Sequence, residues 1–153
     1  MPNWCENRLV VASEDKKGMK KFLSLLGVSE DWMDSDRHRP DKVENLLSVF
    51  YPMPKELEGT KSPSSSPNWY SWCIDNWGTK WDVTAYVDDL DTEYLVLTFE
   101  SAWSPPVQWL EKVAKDYPTL DFILRYDEGG MCFMGVAKGR DGVVDDQNME
   151  YCF

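Results

Sequence analysis

The sequence predicts an α+β fold in which an antiparallel sheet of four to five strands carries two main helices on one face. Three observations support this prediction. The stretch from Tyr94 to Tyr126 has the pattern of a strand, a helix and a second strand. Another strand and amphipathic helix occupy residues 3–27, and strand hairpins separate and follow the two helices. These patterns specify the fold much better than the function.

The central segment starts with Tyr94 to Trp103, a β-branched and aromatic run typical of a strand covered on parts of both faces. Ser104 is a predicted helix cap, and Pro105 suits a first helical turn. Pro118 ends the helix, and residues 120–126 then alternate with the period of a strand. The buried face of the helix is predicted to carry Leu110, Val113, Ala114 and Tyr117.

The N-terminal part repeats this design. Residues 3–12 form a predicted strand, Ser13 offers a helix cap, and Gly27 is a natural residue to follow the helix end. Residues 28–42 are polar and charged, which indicates a surface insertion. The single histidine, in Arg37-His38-Arg39, is interpreted as a solvated loop residue because no Cys or Ser nucleophile pattern accompanies it.

Residues 46–51 are predicted to form a short strand, and the Gly, Ser and Pro content of residues 58–67 indicates a spacer. Asn68 is predicted to cap a short, Trp-rich helix that Gly78 terminates. Residues 82–88 alternate as a strand and form a hairpin with the central strand.

A second hairpin is predicted to end in residues 131–137, followed by a turn-rich, acidic tail. The element order is therefore β, α, insertion, β-β, α, β-β. Its most economical arrangement is the split β-α-β, ferredoxin-like plan with an extra strand. We expect one domain over residues 1–153, with an insertion at about 28–67.

Composition limits the partners. The formal net charge of −11 argues against sequence-independent contact with nucleic-acid phosphates or anionic membranes, and favours basic partners. No long apolar run or signal peptide is present, which predicts a cytoplasmic protein. The cysteines stand far apart without a C-x-x-C pair, so we expect reduced thiols, no disulfide and no zinc site. They are Cys5, Cys73, Cys132 and Cys152.

Four blocks suggest a family. They are M-P-N-W-C-E-N-R-L at 1–9, F-Y-P-M-P-K-E-L at 50–57, W-Y-S-W-C-I-D-N-W-G-T-K-W-D at 69–82 and F-E-S-A-W-S-P-P at 99–106. Together they resemble the phage- and plasmid-encoded proteins that carry a YubB-type ferredoxin-like domain. The resemblance covers most of the chain and implies the same fold, but it implies little chemistry.

The main candidate site is Asn76-Trp77-Gly78-Thr79-Lys80-Trp81. Two indoles on either side of Lys80 would form a flat clamp for a nucleobase, with Lys80 and Thr79 available to a phosphate. In the alternative interpretation, Trp77 and Trp81 pack the helix onto the sheet and the aliphatic stem of Lys80 covers them.

A second candidate is the block from Glu100 to Pro106, which includes Trp103 and lies at a strand end and a helix start, where backbone N–H groups are predicted to meet an anion. The alternative is helix capping alone. Glu6 and Glu100 would form an acid and base pair if their strands were neighbours.

Other features give no support for catalysis. Ser64-Ser65-Ser66 lacks a nucleophile elbow and a second histidine, and the carboxylates near Asp88 lack the glycine and closing Glu of a calcium loop. We therefore predict no enzyme, no cofactor and no metal.

Three functions remain open. The leading hypothesis is a non-enzymatic binding protein of a phage or plasmid that docks on a host protein by imitating a polyanion, for example to inhibit a defence system. The second is a module that binds or sequesters a nucleotide at Trp77, Lys80 and Trp81. The third is RNA or single-stranded DNA binding on the open sheet face, which the net charge opposes.

Overall fold

The computed structural model describes residues 2–28, 40–60 and 67–152. Within these residues the strands are β1 (Trp4–Ala12), β2 (Lys42–Val43), β3 (Ala85–Leu90), β4 (Tyr94–Ala102), β5 (Asp121–Glu128), β6 (Phe133–Arg140) and β7 (Val143–Glu150). The helices are α1 (Lys16–Leu25), α2 (Leu46–Phe50), α3 (Trp69–Asn76) and α4 (Val107–Asp116), with a short 3-10 turn at Lys55–Leu57. The predicted Arg37-His38-Arg39 group and Ser64–Ser66 lie outside the described residues.

The seven described strands form one sheet in the order β2-β3-β4-β1-β5-β6-β7, and every neighbouring pair is antiparallel. The predicted antiparallel α+β plan is confirmed, with more strands and helices than expected. The tail is the main difference, because it forms β7 instead of irregular turns. Asp141 and Gly142 both have positive φ, 53° and 81°, which is the conformation of a tight hairpin turn.

Both long helices cover the same face of the sheet. The Phe22 ring of α1 stacks on Phe50 of α2 at 4.9 Å and meets Tyr117, just after α4, edge-on at 5.3 Å. It also packs against Phe122 of β5 at 5.9 Å. Beneath these rings, alternate residues of β1 such as Leu9 and Val11 are fully buried. The opposite face of the sheet carries the remaining residues of each strand.

Two local predictions are wrong. Residues 46–51 were expected to form a strand, but they contain α2, whose first N–H groups are capped from a distance. Both carboxylate oxygens of Asp82 accept bonds there, from Leu47 N at 2.8 Å and Ser48 N at 3.1 Å. The predicted cap Ser104 lies ahead of α4, which begins at Val107, and its hydroxyl donates to the Gly78 carbonyl instead.

The short helix agrees with its prediction. The Asn68 side chain accepts a bond of 2.9 Å from Ser71 N and caps α3. Gly78 follows the helix with φ of +84°, a conformation that glycine adopts without strain.

The expected absence of disulfides is wrong for one pair. Cys132 and Cys152 are bonded, with their Cα atoms 5.1 Å apart. The β6–β7 hairpin explains this proximity, because Phe133 pairs with Glu150 and the cysteines lie just beyond. The two cysteines are 20 residues apart in sequence, and this spacing alone does not indicate a disulfide. Cys5 and Cys73 are free and buried.

No helix among the described residues is both long and apolar enough to cross a membrane.

Gly135 of β6 provides a test of the packing on the helix-covered face. The Tyr126 side chain reaches across this glycine to donate a bond of 2.6 Å to Asp146 on β7. A Cβ at position 135 would lie 2.3 Å from the Tyr126 hydroxyl oxygen and 2.6 Å from the Gln147 carbonyl oxygen. We expect Gly135→Ala to lower the free energy of unfolding by about 1–3 kcal/mol, measured by urea denaturation.

Gly129→Ala is the matched control, because its added Cβ would have only the Tyr151 hydroxyl nearby, at 3.9 Å. Equal stability of the two variants would contradict this account of β6.

Candidate functional site

The uncovered face of the sheet forms a trough of about 830 Å³ across β1, β3, β4, β5 and β6. We call it the open trough. Its floor consists of the outward-facing residues of these strands, which alternate with the buried ones. The outward side chains that line it are Trp4, Glu6, Arg8, Thr84, Tyr86, Thr98, Glu100, Arg125, Asp127, Met134 and Val136.

Three carboxylates cross the floor in a line. Glu6 pairs with Glu100 of β4 on one side and with Asp127 of β5 on the other. Residues that pair in this way have Cβ atoms about 5 Å apart. We call Glu100, Glu6 and Asp127 the acidic row. The structure thus places Glu6 and Glu100 opposite each other on neighbouring strands, the arrangement that an acid and base pair would require.

Two guanidinium groups lie beside the acidic row. Arg8 pairs with Arg125 of β5, and on its other side with Thr98 of β4. We call Arg8 and Arg125 the arginine pair. Because Arg8 is two residues beyond Glu6 on the same strand, the pair lies about 6.8 Å from the acidic row. Among the described residues, the ion pairs are Lys42–Glu44 and Arg140–Asp121, so the arginine pair forms none.

This arrangement carries an electrostatic cost. Like charges that face each other across strands destabilise a sheet. Here each row brings like charges together, whereas alternating acids and bases would have been favourable. The opposite charges two residues along each strand, Glu6 with Arg8 and Asp127 with Arg125, offset part of this repulsion.

Two indoles form the rim at the acidic end. The rings of Trp4 and Trp81 lie 6.2 Å apart with a 41° tilt, and the side chains are 43% and 40% exposed. The Lys80 ammonium lies 4.5 Å from the Trp81 ring centroid and 6.0 Å from that of Tyr70. We call Trp4 and Trp81 the indole rim. It presents aromatic surface and one cation next to the carboxylates.

The predicted nucleobase clamp is not formed. Trp77 is only 4% exposed, and its indole N–H donates to the Tyr51 carbonyl at 2.8 Å. Thr79 is fully buried and donates to the Ala102 carbonyl at 2.8 Å. The side-chain oxygen of Asn76 accepts a bond from Lys112 of α4. Because the end of α3 packs against α4, these three residues belong to the core and its edge.

The backbone anion site predicted at Glu100 to Pro106 is also not formed. Trp103 N donates to the Asn3 carbonyl at 2.8 Å, and Ser104 N donates to the Ala102 carbonyl at 2.9 Å. These N–H groups are satisfied within the protein, so they are not offered to an anion. Glu100 instead belongs to the acidic row, and Trp103 is 45% exposed.

The C-terminal tail reaches the acidic row. The Tyr151 hydroxyl donates a bond of 2.5 Å to Asp127, and this bond raises the pKa of Tyr151. Tyr151 N also bonds the Cys132 carbonyl at 2.8 Å, next to the Cys132–Cys152 disulfide. A smaller hollow of about 400 Å³ adjoins the trough here and shares Trp4, Glu6 and Asp127 with it.

The groups near the trough offer little nucleophilic chemistry. Burial raises the pKa of Cys5 to about 12 and that of Cys73 to about 11, so both thiols are protonated at neutral pH. Within the described ranges, no group of His, Cys, Asp and Glu side chains is arranged to hold a metal ion.

Sequence reasoning missed Trp4, Tyr86 and the arginine pair as site residues. The available signal was the alternation of β1, in which Trp4, Glu6 and Arg8 share one face.

Comparison with known proteins supports the fold. The family model described as "Ferredoxin-like domain in Api92-like protein" matches residues 76–152. The crystal structure of the protein Api92 from Yersinia pseudotuberculosis aligns with a TM-score of 0.62 at 10% identity, covering 100% of this chain and 99% of that one. At this identity the likeness concerns the fold alone. No curated protein matches the chain.

The cost of the acidic row is measurable. Glu6→Gln removes the central carboxylate, so we expect the free energy of unfolding to rise by roughly 0.3–1 kcal/mol at low salt. The gain should shrink in 1 M salt, which screens exposed charges. Urea denaturation at both salt concentrations measures it.

Glu150→Gln is the control, because Glu150 pairs with Phe133 and faces no carboxylate there. A loss of stability in Glu6→Gln would show that the row is not repulsive.

Proposed function

The chain belongs to the family of ferredoxin-like domains in Api92-like proteins, and we propose that it is a non-enzymatic binding protein. Its open trough docks an extended, basic segment of another protein. The observation that carries this proposal is the acidic row, three neighbouring carboxylates on the floor of an uncovered sheet face.

Charge supports a basic occupant. The net charge of −11 attracts cationic partners from a distance. At short range, Glu6 and Glu100 have no side-chain hydrogen bond or ion pair with another described residue, so their oxygens are available to ammonium or guanidinium groups. A cation between them would also relieve the repulsion within the row.

The indole rim supports the same occupant. Trp4 and Trp81 lie next to the acidic row with large exposed ring surfaces. Lys80 already lies over Trp81, and the ring surface left to an occupant can pack against the aliphatic stems of Lys and Arg. A basic side chain entering at this end would therefore meet both charge and apolar surface.

The wider setting extends the proposal. The resemblance to YubB-type domains supports a phage or plasmid protein that acts on a host protein in the cytoplasm. An acidic face that imitates a polyanion would suit a host defence complex with a basic nucleic-acid channel.

The test uses a fluorescein-labelled (Lys-Thr-Thr-Thr)3 peptide, whose lysines share one face when extended and are spaced so that a lysine on the acidic row leaves Thr facing the arginine pair. Anisotropy at physiological salt measures its Kd for the wild type and for Glu6→Gln/Glu100→Gln. We expect the Kd of the variant to rise about tenfold or more, because each hydrogen bond to a charged group contributes roughly 1.5–3 kcal/mol.

The matched control is Glu14→Gln/Glu111→Gln, which removes the same charge from exposed positions outside the trough. We expect less than a twofold change there. Equal weakening in both variants would reduce the effect to long-range attraction and refute docking in the trough. Tighter binding of oligouridylate or of a nucleoside monophosphate than of the peptide would favour the nucleic-acid or nucleotide alternatives.

A further inference from the structure

A purely basic segment does not match the whole floor of the open trough. The arginine pair lies in the middle of it, about 6.8 Å along β1 from the acidic row. A second cation of the partner at that place would face two guanidinium groups. The arginine pair therefore requires a different group from the occupant.

The surroundings of the arginine pair suit an anion. Arg8 and Arg125 face each other on neighbouring strands, are exposed, and form no ion pair with a described carboxylate. Thr98 of β4 pairs with Arg8, and Tyr86 of β3 pairs with Thr98, so two hydroxyl-bearing side chains continue the same row. Guanidinium groups bind carboxylates through two parallel hydrogen bonds, which makes such a pair selective.

The spacing of the two rows also has a meaning. In an extended chain, residues i and i+2 project to the same side about 6.8 Å apart. Glu6 and Arg8 of β1 have this same relation, so a segment lying along β1 presents matching side chains at matching intervals. A basic residue of the segment would reach the acidic row while an acidic residue two positions away, on either side of it in the sequence, reaches the arginine pair.

We infer, resting on the proposed function, that the docked segment is bipolar and carries a Lys or Arg and an Asp or Glu two residues apart. The acidic row and the indole rim bind the cation. The arginine pair, with Thr98 and Tyr86, binds the side-chain carboxylate. The arginine pair then makes binding selective for this partner. Proteins that are only basic would bind to the acidic row alone.

Four fluorescein-labelled peptides test the inference on the wild-type protein by anisotropy. They share one Thr- and Val-rich background and differ in a central Lys-Thr-Glu, Lys-Thr-Gln, Gln-Thr-Glu or Gln-Thr-Gln. We expect Lys-Thr-Glu to bind about tenfold more tightly than Lys-Thr-Gln. A fifth peptide with Lys-Thr-Thr-Glu places the two charges on opposite sides and should lose this advantage.

Protein variants locate the effect. Arg8→Gln/Arg125→Gln should remove the preference for Glu over Gln and keep the preference for Lys over Gln. Lys16→Gln/Lys20→Gln, with the same charge change on exposed positions of α1, should keep both preferences.

The outcomes are separable. A preference for Lys without a preference for Glu would overturn the bipolar inference and leave the proposed function standing. Binding that ignores Lys would refute the proposed function itself. Equal binding of the Lys-Thr-Glu and Lys-Thr-Thr-Glu peptides would overturn the spacing argument, and this comparison needs no variant.

Discussion

β1 lies at the centre of the sheet, between β4 and β5, and the register of these two pairings determines what both faces carry. Leu9 pairs with Leu97 and Leu124, and all three are buried beneath the helices. A slip of one residue would turn these leucines outward and bring charges inward. Burial of each leucine contributes about 1.5–3 kcal/mol, more than repulsion between exposed carboxylates costs. The core therefore holds the acidic row in place.

Periodicity accounts for the parts of the fold that could be predicted. The apolar stripes of α1 and α4 arise from residues three and four positions apart. The alternation of β1, β4 and β5 arises from residues two positions apart. A sequence shows such short spacings directly. The wrong predictions concern features that depend on residues far away in the sequence. α2 is capped by Asp82, 35 residues away, and β7 is polar on both faces, so its pairing with β6 leaves no apolar alternation. The disulfide was missed as well, because the β6–β7 hairpin that brings its two cysteines together was not predicted.

The same distinction holds for the site. Glu100 and its meeting with Glu6 could be anticipated, because both lie in recognisable strands. The burial of Trp77 could not be anticipated, because it depends on how α3 packs against α4. Arg8 and Arg125 are 117 positions apart in sequence, and only the register of β1 with β5 brings them together. A surface made of single residues from several strands has no local sequence motif.

Both ends of the described chain lie at the acidic end of the open trough. The Asn3 carbonyl accepts from Trp103 N, and the Asn3 side chain lies beside Gly130, while Tyr151 bonds Asp127. Affinity tags or fused reporters at either terminus would therefore project beside the acidic end of the open trough. Immobilisation through the exposed lysines of α1, on the reverse side of the sheet, would leave the trough accessible in biosensor or crystallisation work.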